Sequence, residues 1–213
     1  MNKYKMIKKG LNILVISLLL GMLSSCNFAQ NKKGEKELLT VDSLMNIVQE
    51  DFDVHSIELL QDTILIFSTN EILFYPFGEF TNFKKFQKQY LEKYLKDLNT
   101  DCTKSKSGSN VVNIQNKNTF LKLIEATIFR KEGQRLEIVS ANINDADFAF
   151  VNGIKVGMNK KDFLLKIFSI VPEELEKISV IKIASAVDFI EYYYTFSEVN
   201  TIKNITIITD YVL

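Results

Sequence analysis

Tryptophan is absent from this 213-residue chain, and histidine, cysteine and proline are scarce at one, two and two residues. Each scarcity excludes something. A single histidine, His55, rules out zinc sites that need two or more imidazoles. Two prolines and eight glycines rule out a low-complexity or collagen-like chain. No phosphate-binding glycine-rich loop and no dinucleotide fingerprint is present. No Gly-x-Ser-x-Gly elbow exists, so a Ser-His-Asp arrangement would have to use His55 with Asp51 or Asp53 beside it. Excess charge of either sign is also missing: 26 basic residues balance 26 acidic ones. Nucleic acid needs a basic face and is not an expected partner.

One long apolar run stands out. Lys3, Lys5, Lys8 and Lys9 open the chain without an acid, and Leu11 to Leu23 follows, broken only by Asn12, Ser17 and Gly21. About 13 helical residues at roughly 1.5 Å each span only about 20 Å, short of a hydrocarbon core of roughly 30 Å. The layout is that of a secretory signal. The run ends in Leu23-Ser24-Ser25-Cys26. This resembles the bacterial lipobox, and the chain as a whole resembles an exported lipoprotein precursor of the Bacteroidetes type. The resemblance implies cleavage after residue 25, acylation of Cys26, and lipid anchorage to a membrane of the cell envelope, the outer membrane, on its periplasmic face or at the cell surface. Acyl chains at about 0.8 kcal/mol per buried methylene hold such a protein durably.

Loss of residues 1–25 would leave 22 basic against 26 acidic residues, a net charge of −4. Residues 26–38 carry mixed charge, with Lys32, Lys33 and Lys36 set against Glu35 and Glu37, and read as a lipidated tether. Residues 39–213 are rich in Leu, Ile, Val and Phe and can form a sizeable core. Once Cys26 is acylated, Cys102 is the only thiol, so no internal disulfide is expected.

The hydrophobic pattern gives the elements. A helix is expected over 40–50 with Thr40 as cap. Strands are expected over 54–60, 63–67 and 72–75. A helix over 81–98 presents Phe83, Phe86, Tyr90, Leu91, Tyr94, Leu95 and Leu98 as one stripe. Asn99 to Gly108, with Cys102, reads as a loop. Strands follow over 110–115, 120–130 and 135–143. Asn152-Gly153 between 148–151 and 154–156 signals a hairpin with a type I′ turn. Asn159 caps a helix over 159–168 with Phe163, Leu164 and Ile167 inward, and strands over 178–184, 187–196 and 201–209 complete the chain. Tyr192 and Tyr194 share one strand face and Tyr193 takes the other.

Strand, glycine, helix and about three strands thus occur twice, around Gly78 and Gly157. The segment Ile154-Lys155-Val156-Gly157-Met158-Asn159-Lys160-Lys161-Asp162-Phe163 resembles the strand-to-helix entry of SmpA/OmlA (BamE-like) envelope lipoproteins and of the β-lactamase-inhibitor-protein fold. It departs from their pattern at Asn159 and at Asp162-Phe163. The resemblance implies helices on one face of an antiparallel sheet, binding or scaffolding roles, and no catalytic residues. The expected fold class is α+β: a mostly antiparallel sheet with helices packed on one face, as two related αβββ units over 39–145 and 146–213.

Candidate sites are few. Asn142, Asn144, Asp145 and Asp147 are oxygen-rich, but sixth and twelfth positions occupied by Asp147 and Gly153 fail the calcium-loop pattern. Lysines near Cys102 could activate its thiol. Asp42-Ser43-Leu44 and Asp62-Thr63-Ile64 resemble a short O-glycosylation motif of exported Bacteroidetes proteins. No metal, cofactor or catalytic residue is assigned, and Cys26 is the one site residue, for lipidation. The expected function is non-enzymatic: an anchored lipoprotein binding a protein or envelope component. The alternative is an envelope hydrolase using paired carboxylates on glycan or peptide.

Overall fold

The structure is a computed structural model, and it describes residues 39–92, 99–106, 108–127 and 133–210. Contacts divide the chain into Met1–Leu38 and Leu39–Leu213, and every described residue belongs to the second unit. Cys26, the tether, and the stripe residues Tyr94, Leu95 and Leu98 lie outside the described residues.

Among the described residues nine strands form one sheet: β1 (Val54–Leu59), β2 (Thr63–Ser68), β3 (Asn99–Lys104), β4 (Asn110–Asn116), β5 (Thr119–Thr127), β6 (Gln134–Ile143), β7 (Val180–Ser185), β8 (Ile190–Phe196) and β9 (Ile202–Thr209). Their order is β1-β2-β7-β8-β9-β6-β5-β4-β3. Among the described strands only β2 and β7 pair in parallel, from Thr63↔Val180 to Ser68↔Ser185. The sheet is therefore mixed, and the described helices are a minor part: α1 (Val41–Met45), α2 (Phe83–Phe86, continuing as wider turns through Leu91), α3 (Lys160–Leu164) and two 3₁₀ turns.

Alternation drives burial. In β8, Tyr192, Tyr194 and Phe196 are buried while Glu191, Tyr193 and Thr195 are half-buried. Ile64 and Ile66, Ile181 and Ile183, Ile205 and Ile207 repeat the pattern in neighbouring strands. These join Leu44, Phe86, Tyr90, Leu91, Phe163 and Leu164 of the helices in one core cluster. Full burial of such a side chain contributes roughly 1.5–3 kcal/mol. Phe77, Phe86 and Tyr90 meet with ring centroids 5.1–5.9 Å apart, and Phe163 lies 4.5 Å from Tyr194.

Several elements differ from the pattern-based expectation, each for a local reason. The 40–50 helix stops at Met45. Thr40 and Ser43 form its capping box, but Gln49 N–H then donates to Ile167 O at 2.8 Å and Val48 bridges to Phe168. Tertiary partners thus take the backbone groups that a longer helix would use. Residues 72–75 are not a strand. Asn70 Oδ1 accepts from Ile72 N–H and closes a 3₁₀ turn over Glu71–Leu73. Asn99 to Lys104 is not a loop but strand β3, paired with β4 from Asn99↔Gln115 to Lys104↔Asn110. All six of its residues are exposed, so there was no apolar alternation to read. The 148–156 segment is a tight turn without flanking strands. Gly153 N–H donates to Phe150 O at 2.8 Å, while Val151 N–H turns away to Pro76 O. Gly153 has positive φ (80°) but Asn152 does not, so the turn is not type I′. The helix expected over 159–168 is regular only over α3, where Asn159 Oδ1 accepts from Lys161 N–H. Its expected inward residues, Phe163, Leu164 and Ile167, are fully buried.

Candidate functional site

The residues singled out in the sequence do not converge on a reactive centre. His55 is exposed and lies at a register shift between Val54 and Ser56, so it does not alternate with Ile57. Cys102 is an exposed thiol on β3. The oxygen-rich group around Asn142 is knitted by amides instead of a cation. Asn204 Nδ2 donates to Asn142 Oδ1, Ile143 O and Asn144 Oδ1 at 2.5, 3.2 and 2.9 Å. Lys117 pairs with Asp147 at 3.2 Å. Among the described residues no group of three His, Cys, Asp or Glu side chains is placed to hold a metal ion. Tyr193 is engaged as well. Its hydroxyl donates to Glu191 at 2.5 Å, and Lys182 pairs with the same carboxylate at 2.6 Å while lying over the Tyr193 ring.

A cleft that the sequence did not announce lies at one end of the sheet. β6 and β8 begin there and β7 and β9 end there, as their antiparallel registers require. The 3₁₀ turn after β2 delivers Phe74 and Tyr75 to it. Tyr192 fixes this wall from below, its buried hydroxyl donating to Leu73 O at 2.9 Å. Burial holds the Tyr192 pKa well above the usual tyrosine range. The loop between β7 and β8 supplies Asp188 and Phe189, and Asp210 follows β9. Together with Glu137, Ile138 and Ile190 these residues line a cleft of about 360 Å³.

Its electrostatics are one-sided. Three acids, Glu137, Asp188 and Asp210, and no basic residue line it, while Arg135 lies 5.5 Å from the Tyr75 ring centroid and donates to its hydroxyl. Partial burial raises the Glu137 pKa above the usual carboxylate value; Arg135 opposes the rise and Asp188 adds to it. Phe189 of the lining is 53% exposed, and Val187, two residues earlier in the same loop, is 66% exposed. The cleft therefore offers a cation negative charge in a partly buried setting.

A second cleft of about 410 Å³ is lined by Gln49, Asp51, Asn70, Asn152 and Lys166 among others. Its amides are spent on the fold: Gln49 Nε2 donates to Leu165 O at 3.0 Å and Asn152 Oδ1 accepts from Ile154 N–H. No described helix is long and apolar enough to cross a membrane. No protein-family model, curated protein or solved structure matches the chain.

Proposed function

We propose that the protein is an envelope lipoprotein, acylated on Cys26, that binds a protein partner or envelope component without turning it over. The observation that carries the binding role is the end-of-sheet cleft, with its three acids, its aromatic wall and an exposed apolar rim at Val187 and Phe189. Exposed apolar side chains beside a concave surface mark interaction sites. The lipobox and the stretch from Leu11 to Leu23 support the anchor.

We infer two related αβββ units with helices packed on one face; the strand order supports the repeated three-strand meander. The meanders β4–β6 and β7–β9 meet through their last strands, β6 and β9, which pair antiparallel. β7–β9 follows α3 and Gly157 (φ 85°); β4–β6 follows α2 and Gly78 (φ 98°), with β3 between α2 and β4. A local two-fold between β6 and β9 would relate the two meanders.

The test has two arms. Cells fed a labelled fatty acid should label the wild-type protein and not Cys26→Ser. The purified lipoprotein, incubated with envelope extract, should retain a partner that Phe189→Ala loses. Retention of nothing by the wild-type protein overturns the binding role. The raised Glu137 pKa favours one second reading, a carboxylate hydrolase. Turnover of envelope glycan or peptide that Glu137→Gln abolishes would establish that reading in place of the first.

A further inference from the structure

The geometry points to the ligand class of the end-of-sheet cleft: a basic side chain, arginine or lysine, carried by a protein segment with an adjacent apolar residue. This deepens the binding role proposed above and rests on it. Three carboxylates and no basic residue line a space of about 360 Å³, and Arg135 lies against Tyr75 of its wall. That volume is at the lower end of ordinary small-ligand pockets, roughly 300–1,000 Å³, and suits one or two side chains better than an oligosaccharide. The acids line the cleft without converging as a metal-holding group, an arrangement that suits a delocalised or elongated organic cation.

The walls add a second, independent feature. Phe74, Tyr75 and Phe189 present aromatic surface, and aromatic faces attract cations by about 0.5–2 kcal/mol. The cleft already shows this mode in its own chain, where Arg135 rests on Tyr75 and donates to its hydroxyl. A second cation entering between Glu137, Asp188 and Asp210 would relieve the repulsion that Asp188 exerts on Glu137. The exposed rim decides between a peptide and a small polyamine. Val187 and Phe189 flank Asp188 and offer apolar contact, which a segment alternating basic and apolar residues can meet and a polyamine cannot. An anionic lipid surface is repelled by the same acids.

The experiment uses the full-length lipoprotein in neutral detergent and a fluorescein-labelled peptide of alternating arginine and leucine, read by fluorescence anisotropy. A glutamate–leucine peptide is the comparison probe. The arginine–leucine peptide should bind and the glutamate–leucine peptide should not. The double variant Asp188→Asn/Asp210→Asn should weaken binding about tenfold or more, as loss of close charge pairs does. Both acids are exposed, so the fold should survive, as circular dichroism would check. Unchanged affinity in the double variant overturns the inference, as does equal binding of the glutamate–leucine peptide. An envelope partner held equally by wild type and double variant would leave the binding role standing and remove this ligand class. A partner lost with the double variant would support both.

Discussion

Lys160 and Glu137 lie at opposite ends of the same sheet, and their charges meet different surroundings. Lys160 opens α3 beside the start of β9 and is only 4% exposed. Its ammonium donates to Glu176 O and Ile178 O, each at 2.7 Å, and lies 5.0 Å from the Phe196 ring centroid. Burial lowers its pKa, and Glu176 partly opposes the change. Glu137 is half-buried at the cleft, where Asp188 aggravates the cost of its charge and Arg135 partly offsets it. A satisfied buried charge ties elements together. A crowded carboxylate in a cleft costs stability at neutral pH, and such a cost persists at sites that need the charge.

The largest expected effect breaks the satisfied end. Lys160→Met removes both donors and leaves two carbonyls of the 173–178 turn without partners. The cost should be about 3 kcal/mol, a fall of roughly 6–12 °C in Tm, read by calorimetry. The pH dependence has a definite sign. The folded value lies below the ordinary lysine value, so the native state releases its proton first, and this group makes stability rise with pH in that window. A neutral amine keeps two N–H groups, enough for both carbonyls.

Next comes the support beneath the cleft. Tyr192→Phe keeps the ring but deletes the buried donor to Leu73 O. The expected loss is about 1.5 kcal/mol, with weaker binding of the arginine–leucine peptide, because Leu73 leads directly into Phe74 and Tyr75. A loss of stability with unchanged peptide affinity would show that this wall does not depend on its tie to β8.

Glu137→Gln should act in the opposite direction to Lys160→Met. The Glu137 pKa is raised in the folded state, so its contribution to stability is present at acid pH and is lost as pH climbs through the raised value. The glutamine variant removes that slope. At neutral pH it should unfold slightly later than wild type, with the two melting temperatures converging as pH falls toward 4. A variant less stable than wild type at pH 7 would mean that Arg135 outweighs burial and Asp188.

The contrast also explains what could be read in advance. The strands of the sheet centre were legible because their alternation is strong: Tyr192-Tyr193-Tyr194 sorts onto two faces as the pattern requires. The positive φ at Gly78 and Gly157 was signalled by a residue type that adopts it freely. β3 was not legible, since a strand with no buried face leaves no periodic trace. The run Ile72–Tyr75 has the residues of a strand, but its place is set by Asn70 capping a turn and by Tyr192, 119 residues away. The cleft was hidden for the same reason. Glu137, Asp188 and Asp210 are dispersed among 26 acids, and only the pairing of β6, β8 and β9 brings them together.

The smallest effect belongs to the edge that the pattern missed. Cys102→Ser should change stability by no more than about 0.5 kcal/mol, the usual range for surface positions without special contacts. The thiol is exposed and its five β3 neighbours are exposed too, so serine forfeits no buried contact. The ladder to β4 uses backbone groups alone and is unchanged by the swap. A thiol reagent should therefore modify Cys102 in the native protein without prior unfolding. A shift larger than about 1 kcal/mol, or a thiol that reacts only on unfolding, would mean that β3 is covered in the working protein. The sheet would then continue into a neighbour at this edge, since unpaired backbone groups there are a ready template for another strand.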